Sequence, residues 1–321
     1  MYDFPKTVWQ WGNSVLSDLV VAYLFFGGAG AGACFVASLL ALRSPRGAVR
    51  NVEFASYYGR FYVATYSCAT ACLLVGAVCL SLDLGRFDAL VVLLFSPRIS
   101  YIAVGSFAVL GCFALSLALV LAWLSIGWQG ASDRRLCAVF ATQVAALLAS
   151  FCVMAYTGLL LQSIGSVPLW NSSLVPVLFV ASSASCGCAL AVLSAHVANV
   201  ARPFDRTLST IAKCDATLIA VEIACLVALT VSALHVDAAN QTQAMLLASV
   251  ENLVFGDFAL VFWLGLIAVG LAAPLLFDVL WAKSGHSPRF ALAACACVLV
   301  GGIVLRACLV GAGAHPEIST L

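Results

Sequence analysis

Apolar residues run in eight long stretches, near 15–42, 57–82, 101–126, 136–162, 174–200, 208–234, 257–281 and 288–310. Each is longer than the roughly 20 residues that an α-helix needs to cross a hydrocarbon core about 30 Å thick. Short polar punctuations separate them: RSPRGAVRN, the LDLGRFD…SPR stretch, QGASDRR, IGSVPLWNSS, ARPFDR, the HVDAANQTQ stretch and KSGHSPR. Pro, Gly and charge mark each of these as a turn. The pattern predicts an all-α, polytopic membrane protein with eight transmembrane helices, forming one membrane domain over 1–321 with no soluble domain of its own.

The basic residues orient these spans. The connections after spans one, three, five and seven, with their helix ends, carry Arg43, Arg46, Arg50, Arg60, Arg134, Arg135, Arg202, Arg206, Lys213, Lys283 and Arg289. The opposite side carries Lys6, Arg86 and Arg98, and Arg306 lies inside the last span. An excess of Lys and Arg marks the cytoplasmic side, so both termini are expected outside. The longer connections, 83–100 and 235–256, then face outward. Trp9, Trp11, Trp170 and Trp263 fall near the same interface, as an aromatic belt would. That outer face is where a partner is expected to dock.

Composition agrees with this picture and narrows the function classes. Hydrophobic residues make up 64% of the chain and charged residues 9%, against about 25% charged in a soluble domain. The net charge of +1 makes no case for a nucleic-acid partner, and the lipid bilayer is the expected surrounding. MYDFPKTVWQWGN lacks the short apolar core and small-residue cleavage site of a signal peptide, so it is expected to stay in the mature protein. Nearly all of the 14 cysteines lie inside apolar spans, where a free Cys acts as a small hydrophobe. No C-x-x-C-x-x-C or paired C-x-x-C pattern is present, so no metal site is expected and any iron–sulfur cluster belongs to another subunit.

A weak internal repeat links FFGGAGAGAC (25–34) in the first span with FVASSASCGC (179–188) in the fifth. Both spans run in the same direction, and small residues let helix backbones approach closely in lipid. The expectation is two four-helix halves, 1–168 and 169–321, in parallel orientation about an axis along the membrane normal.

Ionisable groups inside spans usually face the bundle interior or a polar cavity. Glu222 sits near the middle of span six, and Asp215 lies seven residues earlier on nearly the same face, about 10.5 Å away along the axis. Glu222 is the most informative single residue: it reads as a proton-handling carboxylate or as a structural link between helices. Lys213 and Asp215 are near enough to the cytoplasmic end to reach headgroups. Arg306 needs an acidic or carbonyl partner at its depth. Asp18 opens span one, Asp83 and Arg86 close span two, and Asp278 lies near the inner end of span seven. His196 and His235 lie at helix ends on opposite sides, with His286 in a loop and His315 in the tail, so no facing pair could ligate haem. A self-contained enzyme is not indicated. Two classes remain: an anchor at which a lipid-soluble redox carrier meets a partner, or a secondary transporter with a midplane site around Glu222.

Motifs along the whole sequence resemble the NrfD/polysulfide-reductase membrane-subunit family. YLFFGGAGAGA (23–33) is similar to its first-span signature, and LDLGR (82–86) followed by SPRISYIAVGS (96–106) to its acid–Gly–Arg loop and third-span start. YTGLLL (156–161) with VPLWNSS (167–173), Glu222, the set Phe262, Trp263, Gly265 and Pro274, and GGIVLRACLVGAG (301–313) complete the resemblance. It implies an eight-helix, quinone-reactive anchor of a molybdopterin/iron–sulfur oxidoreductase in a bacterial or archaeal cell (inner) membrane. Electrons would pass between the quinone pool and a ferredoxin-like iron–sulfur subunit that serves a catalytic, molybdopterin subunit. The implied cofactor is a non-covalent menaquinone or ubiquinone, with no haem or iron–sulfur cluster in this chain. By position, Asn13, Ser17, Asp18, Asp83, Tyr101 and Tyr156 would surround the quinone, with Arg86 and Arg306 as support, while Glu222 and Asp215 would form a proton route from the cytoplasm. Some relatives place a His beside the quinone where this chain has Ser17 and Asp18.

Overall fold

A computed structural model describes residues 18–43, 52–83, 101–129, 133–165, 167–234, 241–285 and 287–313. Asn13, Ser17, Arg86, Trp9 and Trp11 lie outside the described residues, as does the side chain of Tyr101. The first six helices are α1 (Asp18–Arg43), α2 (Val52–Asp83), α3 (Tyr101–Gln129), α4 (Asp133–Gln162), α5 (Leu174–Val197) and α6 (Asp205–Leu234). A short helix α7 (Gln241–Val254) precedes a π-helical stretch (Val261–Ala272), which runs directly into α8 (Ala273–Lys283), and α9 (Pro288–Gly311) ends the bundle. Counting the π stretch with α8, eight helices among the described residues are long and apolar enough to span a membrane. The helix is the favoured form here because lipid offers no partner for a backbone N–H or C=O.

The structure differs from the sequence expectation in three places. The outward connection 235–256, expected as a loop, contains α7. Its length of 14 residues is too short to span, so it reads as connection rather than as membrane helix. The seventh span is π-helical over its first half and becomes α-helical just before Pro274. Proline has no N–H and its ring crowds the carbonyl four residues back, so the wider turn relieves a clash that a regular α-helix would suffer. Trp170, expected in a lipid-facing belt, is instead fully buried, and its Nε1 donates to the Leu309 carbonyl over 2.7 Å. Its indole N–H finds a partner only inward, at the end of α9. Trp263 does face out, 51% exposed, with Nε1 donating to the Val254 carbonyl at the end of α7.

Helices α1 and α5 form the centre of the bundle. Their most apolar windows are 67% and 83% buried inside the protein, whereas α2, α3, α4, α6 and the seventh span bury 22–33%. Small residues produce this arrangement. A Cβ added at Gly187 would lie 2.2 Å from the Gly32 backbone carbon, and one at Gly32 would strike the Ser183 carbonyl. The two backbones therefore touch, at a distance only glycine permits. Gly270 and Gly301 make the same kind of crossing between the π stretch and α9.

At the Arg-rich end, α5 terminates in a Schellman arrangement. Asn199 takes φ 55, its N–H donates to the His196 carbonyl, and the Val200 N–H donates to the Ala195 carbonyl. Arg60 on α2 donates to the freed Ala198 carbonyl over 2.6 Å, which fixes that corner of the bundle.

Candidate functional site

The central pair of helices positions a line of polar groups through an otherwise apolar interior. At the outer end, Tyr23 on α1 and Tyr156 on α4 face one another. Both are buried, with their two phenol groups close enough to interact. The Tyr156 ring lies in a slot left by Gly105 on α3, where a Cβ would sit 1.7 Å from the ring carbon that bears the hydroxyl. Asp18 and Asp83 stand exposed at the outer ends of α1 and α2.

Further in, Arg306 on α9 is fully buried and holds three helices together. Its Nε donates to the Leu24 carbonyl of α1 over 3.0 Å, and its Nη1 to the Gly302 carbonyl over 2.8 Å and to Ser182 Oγ over 3.3 Å. Nη2 donates to Ser183 Oγ on α5 over 2.9 Å. The guanidinium also lies 5.2 Å from the Phe179 ring centre and 5.8 Å from that of Phe25. Two carbonyls, two hydroxyls and two π faces replace the hydration shell that a cation would otherwise need. Gly28 makes room for the group: a Cβ there would be 2.8 Å from Nη2.

Glu222 and Asp215 follow on α6, both buried and two turns apart. Glu222 is within electrostatic reach of both Arg306 and Asp215. Asp215 Oδ1 accepts a 2.5 Å hydrogen bond from Ser185 Oγ on α5. Beyond Asp215 lies a cavity of about 30 Å³ lined by Asp215, Asp278, Cys188, Cys295, Leu208 and Trp281, among others. That volume is on the scale of one water molecule. Asp278 Oδ2 is buried there without a hydrogen-bond partner among the described residues. Leu208 and Trp281 also line a wide cleft of about 1020 Å³ at the Arg-rich end, together with His196, Arg202 and Asp205.

The structure thus places Glu222 within electrostatic reach of both Arg306 and Asp215, and Arg306 on the backbone next to Tyr23. Several contributors were not placed at the site from the sequence. Tyr23 is embedded in the apolar run of the first span and looks like packing. Asp278 carried a signal, as an acid inside a span, but nothing in the sequence placed it beside Asp215. Ser182, Ser183 and Ser185 were visible only as small residues. Lys213 is exposed at the helix surface, as expected of a residue that reaches towards headgroups.

Comparison with known proteins gives a consistent picture. A family model described as polysulphide reductase, NrfD matches residues 4–315. Protein NrfD of Escherichia coli (strain K12) is 31% identical over 159 residues, covering 50% of this chain and 48% of that protein. A protein NrfD homolog of Haemophilus influenzae is 30% identical over 125 residues, 39% of this chain and 37% of the relative. The C subunit of the polysulfide reductase of Wolinella succinogenes is 30% identical over 162 residues, 50% of each protein. The sequence therefore spans half the length of these curated relatives or less.

Proposed function

This chain belongs to the polysulphide reductase, NrfD family and is a multi-pass protein of the bacterial inner membrane, and from that premise we propose that it is the quinone-reactive membrane subunit of a multisubunit oxidoreductase. Electrons pass between the membrane quinone pool and an iron–sulfur partner, which serves a catalytic, molybdopterin-bearing subunit. The observation that carries the reading is the polar path from the tyrosine pair, through Arg306, Glu222 and Asp215, to the cleft at the opposite end. A merely structural anchor has no need of two buried carboxylates on such a path.

The residues at the outer end suit a quinone, menaquinone or ubiquinone. Gly105 leaves a cradle for the Tyr156 ring that a Cβ would fill, and the Tyr23 phenol is buried against it. When bound, a quinol supplies two electrons and two protons, and a quinone takes up the same. Tyr156 then orients the head group by hydrogen bonding, since a phenol can donate to a carbonyl and accept from a hydroxyl. Asp18 and Asp83, exposed at the outer helix ends, give protons a way to bulk water. Glu222 and Asp215 hold and pass protons between the inner cleft and the outer site, with the Ser185 hydroxyl orienting Asp215. Arg306 keeps the first and last helices in register around that route.

The test is purification from the native membrane in mild detergent, with mass spectrometry of every polypeptide that stays bound. A cysteine-rich iron–sulfur subunit together with a large catalytic subunit is the expected result. A lone, monodisperse protein that carries a substrate across proteoliposomes would overturn the reading in favour of a secondary transporter.

A further inference from the structure

Helix α6 carries Leu208, Asp215 and Glu222 two turns apart from one another, so the three share nearly one face. On α8, Asp278 and Trp281 lie one turn apart and are neighbours on the helix surface. The two stripes meet in matching order. Leu208 and Trp281 are both buried, and they line the cleft of about 1020 Å³ as well as the cavity of about 30 Å³ behind it. Asp215 and Asp278 line only the cavity. An apolar wall thus separates two carboxyl groups from a cleft that is also lined by His196, Arg202 and Asp205.

Asp278 is the acid that packing does not account for. Its Oδ2 is buried without a hydrogen-bond partner among the described residues, whereas Asp215 accepts a bond from Ser185 Oγ over 2.5 Å. Cutting a carboxyl oxygen off from water and from protein donors costs free energy that an apolar residue would not incur. The two carboxyl groups also lie close enough to interact electrostatically. A water molecule between them answers both problems, because it can donate one hydrogen to each. The cavity of about 30 Å³ is large enough to hold it, and the carboxyl groups supply the polar partners that a buried water needs. Trp123 Nε1 is likewise buried without a described partner, but it lines neither space and its indole is stacked on Tyr62.

We infer that Asp278 is the entry carboxylate of the proton route, joined to Asp215 by a water held in the cavity and fed from the cleft past Leu208 and Trp281. Asp278 takes a proton from cleft water and gives it to the cavity water, which releases one of its own to Asp215. Carboxylate and water are both restored, and one proton has moved from α8 to α6. The inference rests on the proton route proposed above and adds to it the residue at which that route begins.

The experiment measures quinol-linked turnover of the native complex carrying Asp278→Asn, beside wild type and Asp215→Asn, with and without azide. Azide is a small weak acid that can carry protons where a carboxyl group has been removed, and the wild type corrects for any inhibition by it. Asp278→Asn is expected to lower turnover about tenfold, the scale for loss of a positioned proton-transfer group, and azide to restore most of it. Turnover at the wild-type level in Asp278→Asn overturns the role of Asp278 and leaves the quinone reading standing. Slow turnover that azide does not restore marks a structural residue and overturns it as well. Wild-type turnover in Asp215→Asn removes the acceptor, with the same consequence. A high-resolution structure of the wild-type complex tests the bridge without any variant: an ordered water bonded to both carboxyl groups is expected, and its absence overturns the inference. If the wild-type complex shows no quinol-linked turnover, the quinone reading and the inference fall together.

Discussion

The Nε of Arg306 donates to the carbonyl of Leu24 over 3.0 Å, joining residues 282 positions apart in the sequence. The bond is between the last helix and the first, at a depth where neither group can turn to water. Nη1 donates to Gly302 and Ser182 and Nη2 to Ser183, so one side chain satisfies acceptors on α1, α5 and α9. Its fork ties the last helix to both central ones.

Removing that side chain is therefore expected to destabilise the bundle. Arg306→Gln should cost about 3 kcal/mol or more, because several charge-assisted hydrogen bonds go at once and their acceptors stay buried. Arg306→Lys should be intermediate, since an ammonium cannot reproduce the planar fork. Thermal unfolding in detergent checks both. Wild-type midpoints would show that the interior guanidinium is dispensable.

The contact between Gly32 and Gly187 gives a second expectation. A methyl at Gly187 would sit 2.2 Å from backbone that cannot yield without separating α1 from α5. Gly187→Ala should cost about 2 kcal/mol or more through overpacking at the centre. Gly111→Ala is the control: nothing lies within 4 Å of its added Cβ. It should leave stability unchanged or raise it by up to about 1 kcal/mol, the helix preference of Ala over Gly. Equal effects of the two substitutions would argue against the close α1–α5 crossing.

At the outer site, Gly105→Ala should displace the Tyr156 ring, whose hydroxyl-bearing carbon lies 1.7 Å from the added Cβ. Quinol-linked turnover is expected to fall about tenfold or more, because a shift of an ångström at a binding group has that scale of effect. Assembly with the partner subunits should persist. A variant that turns over normally would remove Tyr156 from the site.

Along the proton path, Glu222→Gln and Asp215→Asn keep shape and remove the carboxylate. Both should lower quinol-linked turnover by about tenfold or more, the usual scale for loss of a positioned acid–base group. Asp215→Asn should retain a hydrogen bond to Ser185, so its thermal midpoint should change little. Turnover of Glu222→Gln at the wild-type level would sink the proposed route.

Much of the fold was legible in the sequence. The eight apolar stretches reappear as spanning helices with ends shifted by a few residues; the stretch near 15–42, for example, becomes Asp18–Arg43. The π-helical form of the seventh span was not legible, because apolar periodicity carries no information where every face is apolar; Pro274 was its one signal. Trp170 misled for a related reason. An indole near an interface can face lipid or protein, and only the Leu309 carbonyl decides which.

The candidate site was legible in its ionisable members and hidden in its neutral ones. Glu222, Asp215 and Arg306 stood out because charge inside an apolar run is costly whatever the packing. Tyr23 did not, since a tyrosine among apolar residues is ordinary until the fold sets it against a second buried phenol. Its pairing with Tyr156 joins helices far apart in sequence, as does that of Asp215 with Ser185.

What the sequence determined by itself is the solvent and the elements: lengths and hydropathy alone commit these stretches to helices across a bilayer, because unpaired backbone in lipid costs too much for anything else. What only the tertiary structure decided is which helices lie at the centre and which polar groups meet. In lipid all apolar faces are nearly equivalent as solvated surface, so the choice among them falls to close van der Waals fit and to hydrogen bonds. Gly32 against Gly187, and Arg306 against Leu24, are contacts between distant residues that no local pattern specifies.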